Sequence, residues 1–255
     1  MKDLIRNFEE INKTKTAIAG YTSGLCGEWT KERFQKLADL LEIESSKIIV
    51  ANEKHTDKIF AAKNLKDLKN LNQNFSEYFD AMITNEKGFL LCVHTADCVP
   101  VALLDPVKKI IGIVHSGWRG SAKKIAGKTV RKMIEEYKSD PENIICSIGP
   151  YNRSCCYEVG GDVLENFREN FSENECGKFF QKKDKDNEKF MLDLGTAVKI
   201  SLCQEGINSA NIYDSGHCTF HNLDFSSWRR TRDAKKQMIT YIMLIRQRER
   251  CTHYY

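Results

Sequence analysis

Between Leu90 and Asp105 the chain reads LLCVHTADCVPVALLD. A run this apolar belongs inside a sheet, yet His94, Asp97 and Cys98 interrupt it within five residues. It is read as one long strand that bends at Pro100, after a short strand at AMIT and a turn at Gly88. On a strand, the even offset between His94 and Cys98 puts both side chains on one face. IIGIV, from Ile110 to Val114, is a second apolar strand and ends at His115 in HSGWRG. A third, from Lys47 to Ala51, ends just before Asn52 and His55.

Helical patterns alternate with these strands. WTKERFQKLADLLEI, from Trp29, has Phe34, Leu37, Leu40 and Leu41 at helical spacing. SAKKIAGKTVRKMIEEYK reads as one helix with Ser121 near its start, and GGDVLENFREN as a helix with Asp162 as its cap. FMLDLGTAVKISLCQEGI reads as a helix with Asp193 near its start. NIICSIGP and NIYDSGHC are strands, and the charged NECGKFFQKKDKDNEKF is an exposed loop. The segment from Trp228 is a loop and then a final strand rich in Ile, Met and Tyr. The order β-α-β-β-β-β-α-β-α-α-β-β lacks the strict rhythm of a doubly wound fold. The expected class is therefore α+β, or mixed α/β, in a single domain over residues 1–255.

Composition narrows the function classes. With 41% hydrophobic and 29% charged residues, the chain can build a sizeable core. Its 39 basic and 35 acidic residues are too balanced to mark a nucleic-acid partner. The one basic cluster, Arg229, Arg230, Arg232, Lys235 and Lys236, is read as a solvated helix start. No apolar run approaches the ~20 residues of a membrane span, and MKDLIRNFEEINK lacks the apolar core of a signal peptide. A cytoplasmic, reducing location is expected, with the ten cysteines as thiols and no disulfide. Cys92, Cys146 and Cys203 are assigned to the core, and the adjacent Cys155 and Cys156 are read as free.

Three strand ends deliver His55, Cys98 and His115, spaced 43 and 17 residues apart. That is too wide for a zinc finger, but it fits a site assembled across neighbouring strands. Two imidazoles and a thiolate make a three-ligand zinc set with a fourth position open to water. A hard cation would require an oxygen cluster instead. The plainer alternatives are hydrogen-bonded histidines and a core cysteine. His94 either joins that face or supports a ligand from behind. In HSGWRG, two glycines bracket Trp118 and Arg119 just before a helix. This is an oxyanion site, or else a strand-to-helix turn with a half-buried Trp.

The segments DAMITNEKGFLLCVHTADCVPVALLD, IGIVHSGWRGS, SIGPYNRSCCYEVGGDV, FMLDL and HCTFHNLDFSSWRRTRD resemble, in order, the blocks of the laccase-domain family, also called YfiH-like or polyphenol-oxidase-like. The resemblance covers about Ala51 to Ile245, and TADC-x-P together with H-x-G-W-R-G is its most specific part. It implies a layered α/β/β/α arrangement of mixed sheets. It also implies a metal site at His55, Cys98 and His115, usually zinc, with copper as the alternative. The implied chemistry is on purine nucleosides. Adenosine, inosine and methylthioadenosine are phosphorolysed to the free base and (methylthio)ribose 1-phosphate, and adenosine is deaminated to inosine. The partners would be a small-molecule nucleoside and phosphate, with no nucleic acid or membrane, and the chain a monomer or small homo-oligomer. Arg119 is then the phosphate candidate, because a fork of donors suits phosphate oxygens. Asp97 orients a ligand or bound water, or bonds a turn, and Tyr157 faces the pocket or the core. The chain departs from the family where Gln-Val-His-Gly is replaced by Glu53, Lys54, His55 and Thr56, and where His94 stands at a position without a typical His. GYTSGLCGEWTKERF lacks the Asn-Leu-Gly loop and Asn-Arg pair, and DAKKQ replaces a final Gly-Arg.

Competing readings use the same residues. A cysteine hydrolase would take Cys98 as nucleophile and His115 as base. The resemblance also implies, through some relatives, an enzyme that edits cell-wall precursors with Cys98. A copper-dependent phenol oxidase with a multicopper centre would need many more histidines than the six present. A non-enzymatic binding scaffold would have no use for an intact ligand set.

Overall fold

The computed structural model describes residues 4–24, 31–71, 77–183 and 188–246. Its strands are β1 (Ile5–Asn7), β2 (Ala17–Thr22), β3 (Ile48–Val50), β4 (Ile59–Ala62), β5 (Ala81–Thr84), β6 (Leu90–Thr95), β7 (Val99–Asp105), β8 (Ile110–Ser116), β9 (Ile145–Ile148), β10 (Glu158–Gly160), β11 (Phe180–Lys182), β12 (Lys189–Leu192), β13 (Ile212–Asp214) and β14 (Met238–Leu244). The α-helices are α1 (Glu9–Asn12), α2 (Lys31–Leu40), α3 (Leu65–Leu71), α4 (Trp118–Ala122), α5 (Ile125–Tyr137), α6 (Gly161–Arg168), α7 (Glu173–Phe179), α8 (Leu194–Gln204) and α9 (Trp228–Thr231).

Two mixed sheets form the body. One has the order β1-β2-β14-β6-β3, the other β13-β9-β7-β8-β5-β4, and a small third sheet pairs β10-β12-β11. Both large sheets are covered on both faces, so their strands read as continuous apolar runs rather than alternating ones. The two-residue period still sorts the side chains. On β6, Leu91 and Val93 meet Ala102 and Leu104 of β7 between the sheets, while Leu90 and Cys92 face Leu37, Ala38 and Leu41 around α2. On β7, Val99, Val101 and Leu103 face the opposite way, into a core shared with α5, α6 and α8. The result is the layered α/β/β/α arrangement of mixed sheets. No helix among the described residues is long and apolar enough to cross a membrane.

The structure corrects several local expectations. LLCVHTADCVPVALLD is not one strand: β6 and β7 belong to different sheets, and the chain crosses between them over residues 96–98. Asp97 turns that corner with φ +97°, so the strand argument for His94 and Cys98 sharing a face lapses. The helix expected from SAKKIAG onward is two helices, because Lys124 adopts φ +58° between α4 and α5. Gly160, not Asp162, stands at the N-cap of α6. The segment read as a charged loop, from Asn174, carries most of α7, whose start is closed by a Ser172–Glu175 capping box, with Cys176 and Phe179 buried beneath it, and then β11 and the first residues of β12. Residues 184–187 of that segment, and Trp29 and Thr30 of the helix expected from Trp29, lie outside the described residues. The loop expected from Trp228 begins with the single turn α9. Cys92 and Cys146 are buried as expected, but Cys203 is exposed on α8.

Candidate metal centre

Strand direction brings the site to one end of the six-stranded sheet. β7 and β8 are antiparallel, with Val99 opposite Ser116 and Pro100 opposite His115. β5 also runs antiparallel to β8, with Ala81 opposite Val114, so Asp80 lies at the same end. Cys98, immediately before β7, and His115, near the end of β8, are therefore neighbours. His55 arrives on the segment between β3 and β4.

The ligand atoms of His55, Cys98 and His115 lie within 4.8 Å of one another. Cys98 Sγ is 3.7 Å from His55 Nε2, and the two imidazoles meet edge to face at 4.9 Å between ring centroids. Gly117 closes the floor. A Cβ there would stand 2.6 Å from His55 Cδ2 and 3.2 Å from Cys98 Sγ, so the side chains fill the space that any larger residue would take.

Asp80 organises this cluster, and sequence reasoning did not single it out. It is fully buried. Its Oδ1 accepts from the His55 amide at 2.9 Å and pairs with His115 Nδ1 at 2.7 Å. Its Oδ2 accepts from the amides of Lys54 and Thr56 and from the Thr56 hydroxyl, at 3.2, 2.8 and 2.7 Å. His55 has φ +57°, and this left-handed residue turns successive amides toward one anion, an arrangement known as a nest. Asp80 thus sets the backbone of one candidate ligand and the tautomer of another, leaving His115 Nε2 for the centre. Burial alone would raise the Asp80 pKa, but His115 and Thr56 outweigh it and hold it at about 2. Its sequence signal was a lone carboxylate directly before the apolar AMIT strand.

Burial also opposes ionisation of Cys98, yet His115 and His55 beside it bring the thiol down to about 7. Burial opposes a charge on His115 as well, and Cys98 and Asp80 overcome it, pushing its pKa well above the ordinary imidazole value. The pair is biased toward thiolate and imidazolium. A soft anionic sulfur and two imidazoles match zinc, and the same donors suit copper.

The other predicted residues have different partners and exposures. Both Asp97 carboxylate oxygens meet protein donors, Thr219 Oγ1 and the Arg229 amide, each at 2.6 Å. That is the turn-bonding alternative. Tyr157 is half-buried, and burial followed by the Cys98 charge raises its phenol, while Arg229 and Arg119 act in the opposite direction. The Arg229 guanidinium lies 5.1 Å from the Tyr157 ring centroid. Arg119 is exposed and stacks 4.2 Å over Trp118. His94 is buried in β6 and bonded to Glu53: its amide donates to Oε1 at 2.7 Å, and Nδ1 lies 3.2 Å from Oε2. The two departures from the family pattern therefore contact each other.

The basic cluster read as solvated is largely tied into the structure. Arg229 donates to Glu158 O at 2.9 Å, and Arg230 donates to the carbonyls of Thr219, Phe220 and Phe225. Arg232 stacks on Trp228. Lys235 and Lys236 are exposed.

Comparison with known proteins agrees with this architecture. A hypothetical protein YfiH of Bacillus licheniformis superposes with a TM-score of 0.86 at 26% identity, over 95% of this chain and 97% of that one. A purine nucleoside phosphorylase of Aquifex aeolicus is 34% identical over 199 residues, 78% of this chain and 84% of its own. An adenosine deaminase from an unknown prokaryotic organism is 33% identical over 156 residues, 60% of this chain and 58% of its own. The family described as multi-copper polyphenol oxidoreductase laccase matches residues 21–245. With most of its length inside that match and the same layered fold, the chain belongs to this family.

Proposed function

We propose that this chain is a cytoplasmic, zinc-dependent purine nucleoside enzyme, a single domain over residues 1–255. It would phosphorolyse adenosine, inosine and methylthioadenosine, and deaminate adenosine to inosine. The observation that carries the reading is the convergence of His55, Cys98 and His115 within 4.8 Å of one another, with Tyr157 close enough for the Cys98, Arg229 and Arg119 charges to act on its phenol. The names of the Aquifex and prokaryotic relatives support the substrate class. His55, Cys98 and His115 would hold the metal, with copper as the alternative ion. When bound, the metal supplies Lewis acidity at a position the three side chains leave open.

The chain's own residues divide the remaining work. Phosphorolysis forms a bond from a phosphate oxygen to C1′ and breaks the C1′–N9 bond, so an anion must be held at the ribose. Arg119 is the cation for it, because it is exposed and presents a planar fork of donors. Tyr157, kept protonated by burial and the nearby Cys98 charge, donates a hydrogen bond without adding charge. Deamination adds water at C6 and releases ammonia, and it requires no phosphate. Asp80 keeps His55 and His115 oriented throughout.

One observation favours a second reading. Asp80, His115 and Cys98 form an acid–imidazole–thiol series, with the thiol held at about 7, which is the arrangement of a cysteine hydrolase. Metal content and product chromatography separate the two. Adenosine should yield adenine and ribose 1-phosphate only with phosphate, and inosine with or without it. Both activities should vanish on chelation and return with zinc. Turnover that survives metal removal but is lost on thiol alkylation would favour the hydrolase.

A further inference from the structure

A second group of soft ligands lies outside the centre described above. Cys155, Cys156, Cys218 and His221 place one ligand atom each within 4.8 Å of all the others. Cys155 Sγ is 3.8 Å from Cys218 Sγ and 3.6 Å from Cys156 Sγ. The His221 ring lies between the thiols, with Nδ1 3.6 Å from Cys155 Sγ and Nε2 3.2 Å from Cys156 Sγ. A tetrahedral zinc ion with bonds of ~2.3 Å to sulfur and ~2.0 Å to nitrogen has S···S edges of about 3.8 Å and S···N edges of about 3.5 Å. The two S···S separations are close to those of a coordination shell, and a small turn of the His221 ring would aim one of its nitrogens at all three thiols, which lie within 4.8 Å of it.

We propose that Cys155, Cys156, Cys218 and His221 form a second, structural zinc site. Four protein ligands would close the tetrahedron, whereas three, as at His55, Cys98 and His115, would leave a position for water or substrate. Three sulfurs and one imidazole select a soft or borderline ion over calcium or magnesium. One His221 nitrogen coordinates, and binding displaces the thiol protons to solvent. The spacing from Cys218 to His221 places two ligands on one turn, closed by the Asn222 amide donating to Cys218 O at 3.0 Å.

The location gives the ion a structural task. Cys155 and Cys156 sit on the turn between β9 and β10, directly before Tyr157. Cys218 and His221 sit between β13 and α9, flanking Thr219. Tyr151 pairs in parallel with Cys218 between these two segments, its amide donating to His217 O at 3.4 Å and its carbonyl accepting from the Thr219 amide at 3.0 Å, and Thr219 grips Asp97 at the corner that presents Cys98. An ion held by all four side chains locks the Tyr157 wall to the Asp97 support. This proposal does not depend on the reaction assigned to the first centre.

The test begins with zinc content in protein purified without chelators. Wild type should carry two equivalents per chain. Cys218→Ser should carry one, with that one still removed by the further change Cys98→Ala. If the first centre binds no metal, wild type carries one and Cys218→Ser none, so the failures of the two sites are distinguishable. Cobalt(II) titration of the wild-type protein covers the case of a Cys218→Ser variant that does not fold. It should show one equivalent with the strong thiolate charge-transfer absorption of three sulfurs. Equal zinc in wild type and Cys218→Ser would overturn the proposal. So would a cobalt spectrum with only one-thiolate intensity, or a Cys155–Cys218 disulfide in freshly prepared protein.

Discussion

Replacing Asp80 with Asn tests whether one buried carboxylate assembles the metal centre. The substitution keeps the volume, but it turns an acceptor-only group into one with an NH2. Oδ1 faces two donors, the His55 amide and His115 Nδ1, and Oδ2 faces three, from Lys54 and Thr56. Whichever way the amide sits, its NH2 meets at least two groups arranged as donors, so no flip rescues the site. The charge itself is worth roughly 2 kcal/mol, from a pKa lowered from 3.8 to about 2. Unsatisfied donors add to that, and removal of one member of a buried charged network costs about 3–5 kcal/mol. For a chain of this length that is a fall in melting temperature of about 10 °C. The centre should suffer beyond this, because His55 loses the anion that turns its backbone and His115 loses its tautomer lock. Differential scanning calorimetry and zinc competition with a chromogenic chelator read the two effects. A variant within about 1 kcal/mol of wild type, with unchanged zinc affinity, would refute the assignment of Asp80 as organiser.

Other perturbations probe separate parts of the molecule. Cys98→Ala should abolish turnover and zinc binding at the first centre while circular dichroism and melting stay close to wild type; full turnover would leave Cys98 as mere packing. Gly117→Ala forces a Cβ to within 2.6 Å of His55 Cδ2 and should weaken zinc by roughly 10–100-fold without unfolding the protein, as calorimetric titration will report. Arg119→Ala should reduce phosphorolysis about ten-fold or more while sparing deamination, the equivalent of a charge-assisted contact of ~1.5–3 kcal/mol; equal losses in a phosphate series would remove Arg119 from the anion role. Asp214 is largely buried, and although burial would raise its pKa, Arg153 and Lys199 hold it below the ordinary carboxylate value of 3.8. Its stabilisation is therefore full above that value and lost as pH falls through the depressed one. Asp214→Asn should melt lower than wild type at neutral pH, and the gap should close below about pH 4; a constant gap would contradict this.

Local pattern sufficed where the physics is local. Continuous apolar runs announced strands buried on both faces, and the motif blocks identified the family, its layered fold and the three side chains that the structure brings together. The body of α8 was legible from its own run, with Asp193 near its start now seen to cap it by accepting from the Thr196 amide at 3.1 Å, although Phe190–Leu192, read as part of that helix, form β12. What depended on closure of the chain was not. LLCVHTADCVPVALLD looks like one strand because burial alone shapes its composition, and nothing in that composition marks where a chain leaves one sheet for another. Asp80 is an ordinary carboxylate until the segment from β3 to β4 folds three amides around it. Glu53 and His94 become partners only because residues 41 apart meet. Cys155 and Cys156 read as two free thiols, and Cys218 and His221, 63 and 65 residues further on, carried no signal of their own. The parallel pairing of β13 with β9 brings the two pairs to the same end of the sheet. Side-chain type and spacing are written along the chain, whereas the partner of a buried charge or thiol is chosen by strand order and direction, which are properties of the assembled sheets.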